Sequence, residues 1–339
     1  MKSYFPGDDL FDELWPQCFH TSPQMHPFYQ PGNIEYYKAF YLGEGGKEFI
    51  DRSFVIADEN GVSAGIRMYS FVNPQGKREL SCFGMIPLWF FEVLDESPKR
   101  RKKTRAVVEA VLEKICAEDH IERIWFEDPL SGQQLSYLSK ILLNRGAKAE
   151  PVIRQIVDLN ASEEQILRNV RKSYKSLINW GKGHLKLTVI AGDQVSDQKM
   201  EDFRQLHIQV AGRETRSQET WQVQEKMIRN NEAFAVFGVL DGELVTAALF
   251  PLSPQYCIYG VSASNRDQFD NPLSHAVIWE AILHARKVGC QFFELGLIHF
   301  PNISDIPPTP KEMSISMFKH GFGGRSEPRL SVVWEAKNN

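Results

Sequence analysis

The feature that most constrains the fold of this chain is an order of elements that occurs twice. In the first half, Phe54 to Ala57 reads as a strand, Glu59-Asn60-Gly61 as a turn and Val62 to Phe71 as the return strand. Asn-Gly between β-prone runs is a hairpin signal. Asn73-Pro74-Gln75-Gly76 marks the next turn and Glu79 to Ile86 a third strand. A helix follows, opened by Ser97-Pro98, with Val107, Val108, Val111, Leu112 and Ile115 on one face. A short strand, Arg123 to Glu127, then a helix from Ser131 to Arg145 and a strand from Val152 to Leu159 close this half. In the second half, AFAVFGVLDGELVTAALFPLSP gives two strands across Asp241-Gly242, and QYCIYGVSAS gives a third. Asn271-Pro272 opens a helix from Leu273 to Lys287, and Gln291 to Leu295 is a strand. Each series includes a short strand carrying a carboxylate, Glu127 in one and Glu294 in the other. The repeated order implies two α/β (α+β) domains of the same kind, divided near Asp158 to Ser162 into residues 1–157 and 158–327.

A chain of 339 residues suits two domains that each bury a core. With 42% hydrophobic and 24% charged residues it is globular, and no apolar run reaches the length of a membrane span. MKSYFPGDDLFDELW carries acids where a secretory leader needs an apolar core, so the expected location is cytoplasmic. Five cysteines without C-x-x-C spacing argue for a reducing compartment and against a disulfide framework or zinc ribbon. Cys18, His20 and His26 lack a second ligand pair, so no metal is expected. H-E-x-x-H, G-x-S-x-G and a strand-to-helix G-x-G-x-x-G are all missing.

The net charge of −4 is unevenly spread. KRRKKTR, Lys99 to Arg105, places six basic residues in seven, and no acid occurs between Glu164 and Asp193. Ser162-Glu163-Glu164-Gln165 is a capping box for a long helix reaching about Lys182. On that helix Ile166, Leu167, Val170, Tyr174, Leu177 and Ile178 share one face, and Arg168, Arg171, Lys172, Lys175 and Lys182 the neighbouring one. The basic stripe is either a solvated face or a place for anions. Between the next two helices, Lys199 to Ala211 and Glu219 to Asn230, lies GRETRS. Its Arg213 and Glu214 either tie each other down or face a ligand.

KEMSISMFKHGFGG, Lys311 to Gly324, reads as one helix with its own stop signal in Gly321, Gly323 and Gly324. Lys319 sits in its last turn beside Phe318 and Phe322, where it is either an ordinary capping cation or a group for an oxyanion or phosphate. The pattern K-E-x-S-I-S-x-F-K-x-G-F-G-G resembles the C-terminal motif of the FemAB-like transferases, a branch of the GNAT acyltransferase superfamily. The resemblance covers roughly residues 155 to 325 well and the first half loosely. It implies two tandem GNAT-like domains with mixed, mainly antiparallel sheets, and a C-terminal segment (328–339) that can return to the first domain. It also implies transfer of an acyl or aminoacyl group to an amine of a cell-envelope or surface-polysaccharide precursor, with the lysine of the Phe318-Lys319 pair stabilising the tetrahedral intermediate.

Acyl transfer requires proton loss from the acceptor amine, stabilisation of an oxyanion and alignment of two substrates. Lys319 is the candidate oxyanion stabiliser and Phe318 shapes its channel. Arg171, Tyr174 and Lys175 are candidates for holding phosphates of the acceptor. Glu294 is a candidate proton acceptor, or else a carboxylate that orders Lys319 or Arg213, and Tyr259 and His275 are further candidates. The loop SASNRDQFDNPLS lacks the glycines of a GNAT pyrophosphate loop, so the co-substrate stays open between aminoacyl-tRNA and an acyl-CoA or acyl-carrier donor. No tightly bound cofactor is expected; the partners implied are a phosphate-bearing envelope precursor and tRNA, without membrane insertion. The competing class is a non-enzymatic scaffold that binds nucleic acid or a phosphate ligand through the two basic clusters, against which stands a shortage of interleaved aromatics.

Overall fold

The structure is a computed structural model that describes residues 1–336 except 22–25, 83–87, 94–95, 131–132, 269 and 304–305. Its elements begin with β1 (Lys2–Tyr4), α1 (Phe11–Thr21), α2 (Pro31–Gly43), β2 (Lys47–Asp51), β3 (Phe54–Asp58), β4 (Gly61–Arg67), β5 (Tyr69–Val72) and β6 (Arg78–Ser81). Next come β7 (Trp89–Glu92), α3 (Pro98–Glu118), β8 (Arg123–Asp128), α4 (Tyr137–Asn144), β9 (Lys148–Asp158), α5 (Glu163–Asn169), α6 (Lys172–His184) and β10 (Lys186–Ile190). The chain continues through α7 (Asp197–Ala211), α8 (Gln218–Arg229), β11 (Ala233–Leu240), β12 (Glu243–Pro251), β13 (Tyr256–Ile258) and β14 (Ser262–Ser264). It ends in α9 (Leu273–Lys287), β15 (Phe292–Ile298), α10 (Pro310–His320) and β16 (Arg325–Glu335).

The first of two compact units comprises Met1–Pro23, Tyr41–Pro151 and Pro328–Asn339. One of its sheets has the order β1-β3-β4-β7, every neighbour antiparallel. The run read as a single strand from Val62 to Phe71 is broken at Met68, which divides β4 from β5. There the Arg52 N–H donates to the Met68 carbonyl and the Met68 N–H to Ser53 Oγ, and the chain passes from one sheet to the other. β5 pairs with β2 and β6, β6 runs parallel to β8, and residues 330–335 of β16 return antiparallel to β8. The apolar face of α3 closes this core, with Val108, Leu112 and Ile115 against Phe54, Ile66, Phe126 and Val332. The third strand stops at Ser81, and the part of it expected at 83–86 lies outside the described residues. The helix expected from Ser131 starts at Tyr137, capped by Ser136, and residues 131–132 also lie outside them. Residues 1–50, whose proline, glycine and aromatic content reads as irregular structure with short helices, include among the described residues the helices α1 and α2 and also strand β1 and most of β2.

The second unit comprises Gln24–Phe40 and Val152–Glu327. Its sheet β10-β11-β12-β14 is antiparallel throughout. The period of two along β11 and β12 sends Phe234, Val236, Ala248 and Phe250 to a core with α6 and α9, and Ala235, Phe237, Ala247 and Leu249 to a core with α7 and α8. Both faces are therefore buried, which is why these strands read as continuous apolar runs. The third strand of the series splits: Tyr256–Ile258 pairs parallel with β15, whereas Ser262–Ser264 pairs with β12. β15 pairs on its other side with β9, antiparallel, with a bulge between Glu294 and Gly296.

The long helix expected from Ser162 to Lys182 is two helices, α5 and α6, broken at Val170 and Arg171. Both residues are extended, with ψ of 137° and 135°. The Arg171 N–H leaves the helical ladder and donates to the Gly321 carbonyl at 2.9 Å. A tertiary contact from the end of α10 thus overrides local propensity, while Ile166, Val170, Tyr174 and Ile178 still line one core.

Candidate active site

α10 is set up by its own residues. Thr309 caps it reciprocally with Glu312, and Pro310 fixes its first turn. The helix lies along β15: the His299 N–H donates to Ser316 Oγ at 2.8 Å, and Ser316 Oγ donates in turn to the Glu312 carbonyl at 2.7 Å. One turn on, Lys319 Nζ donates to the Leu297 carbonyl at 2.9 Å. Just before it in β15, Gly296 has φ of 90°, and a Cβ there would stand 3.3 Å from Nζ. The glycine turn after the helix is equally close-fitting. A Cβ on Gly321 would lie 2.3 Å from the Tyr174 ring, and one on Gly323 2.6 Å from the Asn169 carbonyl oxygen.

Lys319 is partly buried, and burial lowers its amine from the usual lysine range to about 8. The Arg154 guanidinium adds to that depression, and the Glu294 carboxylate opposes it. Glu294 itself is 1% exposed. Arg154 Nη1 donates to its Oε1 at 3.4 Å, the Tyr256 hydroxyl donates to its Oε2 at 3.3 Å, and His26 Nε2 lies 3.3 Å from the same oxygen. Such a bed compensates the burial of a carboxylate. It also leaves Glu294 as the centre of a fixed cluster whose charge acts on Lys319 across space.

Next to Lys319 the aromatic residues form one cluster. Tyr174, His275, Phe318 and Phe322 meet mostly edge to face, with Tyr174–His275 centroids 4.5 Å apart and Phe318–Phe322 5.3 Å apart. Burial pushes the His275 imidazole down and the Tyr174 phenol up. Tyr174 is 8% exposed, so its place is within this cluster and under the Gly321 turn. Arg171 and Lys175 stand at its edge. Arg171 is exposed, its guanidinium 5.6 Å from the Tyr174 ring centre, and Lys175 Nζ reaches the Arg168 carbonyl at 3.5 Å. The Tyr259 hydroxyl shares a hydrogen bond with Ser262, and its N–H donates to the Glu294 carbonyl at 2.8 Å.

The GRETRS junction lies apart from Lys319 in its bonding. Glu214 accepts from Arg204 at 3.0 Å, and Arg213 is exposed. Its neighbour Arg216, not singled out from the sequence, turns inward to donate to the Tyr36 hydroxyl at 2.9 Å. In the 99–105 cluster, Arg100 is paired with Asp58 and Glu96, and Arg105 with Glu92. Those pairs neutralise part of the charge that a nucleic-acid surface needs.

Sequence reasoning missed His26, Arg154 and Tyr256. Arg154 had a legible signal, an arginine in the middle of the apolar strand PVIRQIVD, where a charge needs a partner. His26 had none, because nothing local links residues 24–40 to a carboxylate far along the chain. Among the described residues no group of His, Cys, Asp and Glu is placed to hold a metal ion, and no helix is long and apolar enough to cross a membrane.

No protein-family model matches the sequence, and no curated protein matches it. Solved structures do match the fold. FemX superposes with a TM-score of 0.69 at 11% identity over 97% of each chain. A tandem GNAT protein from the clavulanic acid biosynthesis pathway gives 0.56 at 16% identity, covering 99% of this chain and 98% of that one. L-PGS from Bacillus licheniformis gives 0.56 at 12% identity, covering 94% and 95%. The fold is therefore mixed α/β and similar over nearly its whole length to those of FemX and of the tandem GNAT protein.

Proposed function

We propose that this protein is an N-acyl- or aminoacyltransferase acting on an amine of a cell-envelope or surface-polysaccharide precursor. The observation that carries this reading is the seat of Lys319, an amine that donates to the Leu297 carbonyl of a bulged strand and feels the charges of the half-buried Arg154 and the buried Glu294 paired with it. An ammonium has three donors. The Leu297 carbonyl takes one, which leaves two for an incoming oxyanion.

In the reaction, the acceptor amine attacks the donor's carbonyl carbon and a C–N bond forms. The carbonyl π electrons move to oxygen, and that oxyanion is the charge the Lys319 ammonium meets. Its collapse breaks the C–O bond of an aminoacyl ester or the C–S bond of a thioester, and the amine proton leaves with the departing group or through the substrate. Glu294 serves here as the fixed charge that helps keep Lys319 protonated, since its oxygens already accept from Arg154 and Tyr256. Arg171, which is exposed, and the half-buried Lys175 are the residues we assign to the phosphates of the acceptor. The names of the similar structures, FemX and L-PGS, support a transferase reading and leave donor and acceptor open between aminoacyl-tRNA and acyl-CoA or acyl-carrier chemistry.

The test is a screen of those donors against amino-sugar and peptidoglycan precursors, followed by Lys319→Met with the pair that works. Removing a donor that acts only in the transition state lowers kcat on the order of 10²–10³-fold with KM little changed. A Met variant at wild-type turnover rejects the reading.

A further inference from the structure

In the first unit a groove of about 610 Å³ runs along α3, lined by Arg101, Lys102, Arg105 and Glu109, with Tyr137 of α4 beside them. That volume is in the range of small-molecule sites. Contacts between the lining residues hold its shape. Arg105 gives Nε and Nη2 to Glu92 at 2.7 and 3.3 Å, and its guanidinium lies 4.5 Å from the centre of the Tyr137 ring. The Tyr137 hydroxyl donates to Glu109 Oε1.

The groove is cationic towards the start of α3, and two of its cations stand unpaired. Arg101 is half-buried and Lys102 exposed, and among the described residues neither side chain has an ion pair or a hydrogen bond. Arg100 and Arg105, their neighbours, are both paired with acids. Even so, the pairing of Arg105 uses Nε and Nη2 and leaves Nη1 as a donor. Charge of this sign is costly here. α3 has no acid in its first turn, and Lys99 to Arg105 put six cations into its first two turns. The N-terminal end of a helix is itself positive, and like charges one turn apart, as Arg101 and Arg105 are, repel. Side chains and helix dipole sum to a positive field that an anion relieves. Further along, the character reverses: Glu109 uses Oε1 for Tyr137, which leaves Oε2 to accept a hydrogen bond.

We propose that this groove binds a phosphorylated sugar, free or within a nucleotide, with phosphate on Arg101, Lys102 and Arg105 and a sugar hydroxyl on Glu109. Arg105 and Glu109 are about 6 Å apart along the helix axis, and Arg101 and Glu109 about 12 Å. A sugar monophosphate fits the shorter span and a diphosphate the longer one. The carboxylates of Glu92 and Glu109 oppose a continuous polyanion, which argues against nucleic acid as the occupant. The groove belongs to the first unit and Lys319 to the second, so this site stands whether or not the transferase reading does.

The experiment is isothermal titration calorimetry of the full chain with ribose 5-phosphate, ADP and inorganic pyrophosphate. Both sugar phosphates are expected to bind, more weakly as salt rises. Arg101→Ala combined with Lys102→Ala should lose about 10-fold or more for all three ligands. Without ligand its melting temperature should equal or exceed that of the wild type, because the cations it removes oppose the helix dipole. Glu109→Ala should split the series, weakening ribose 5-phosphate and ADP while tightening pyrophosphate, which has no hydroxyl to offer and only repulsion to lose. Tighter binding of ADP than of ribose 5-phosphate assigns the groove to a nucleotide, and the reverse order to a free sugar phosphate. Lys319→Met should bind as the wild type does, which keeps this result apart from the fate of the transferase reading. The proposal is overturned if neither sugar phosphate binds at millimolar concentration, or if binding is indifferent to Arg101 and Lys102. A Glu109→Ala variant that does not weaken the sugar phosphates overturns it too, since the groove is then only a basic surface. So does an RNA oligonucleotide held through Arg101 and Lys102 where neither sugar phosphate is.

Discussion

Lys319 is held where its charge is costly. Its amine titrates near 8 in the folded chain and in the ordinary lysine range once unfolded. Between about pH 8 and 10.5 the unfolded state therefore binds the extra proton, so this residue's contribution to stability rises with pH across that window. Below 8 the cost is constant, on the order of 1–3 kcal/mol, set against about 1 kcal/mol from the bond to Leu297. We predict that Lys319→Met is as stable as the wild type or more so at pH 7, with the difference shrinking towards pH 10 in denaturant titrations. A lysine that serves stability would give the opposite sign. Arg154 is the complementary case. Arg154→Met removes a guanidinium that depresses Lys319 and takes one partner from the buried Glu294. We predict a loss of about 3 kcal/mol in unfolding free energy, and a titration of Lys319 moved upward, readable by NMR of the lysine side chain. An unmoved Lys319 would mean that the pair does not set its charge.

At the scale of elements, the end of α10 does more than stop a helix. Its glycine turn presses on Tyr174 and Asn169, and the same contact breaks the helix of residues 163–184 in two. Gly321→Ala puts a Cβ against the Tyr174 ring, and we predict a loss of about 1–3 kcal/mol, seen as a lower denaturant midpoint at unchanged slope. A neutral Gly321→Ala would show that the turn has room. The helix and the glycines of this stretch were legible because they are local signals, an apolar spacing with three glycines close behind; the cap by Thr309 and Glu312, equally local, went unread. The break at Val170 was not legible, since its apolar spacing continues through the break and its cause lies some 150 residues on. In the same way, Val62 to Phe71 has the composition of one strand, and only the backbone bonds at Met68 show the corner.

At the scale of the whole molecule, the doubled order of hairpin, strand, helix and strand carried the fold reading, because each step rests on turn and periodicity signals that survive without tertiary context. What escaped it is the excursion of an early segment: residues 24–40 belong with the second unit and place His26 on Glu294. The pairing of residues 330–335 with β8 in the first unit lies along the return that only the family resemblance implied for the C-terminal segment. No local pattern encodes either crossing, since both are decided by which buried face is left to cover. For the site, a C-terminal motif pointed to Lys319, whereas the bed of charges beneath it comes from three separate stretches. The claim on which the functional reading rests is that Lys319 works as a cation. The pH dependence of the ratio of kcat/KM between the wild type and Lys319→Met, in which the titration of the acceptor amine cancels, tests it directly with whichever donor and acceptor are turned over. A cationic oxyanion donor predicts a ratio that is level up to about pH 8 and falls above it as the amine loses its proton. A ratio that climbs through about pH 8 would mean that the neutral amine is the working form, and would contradict it.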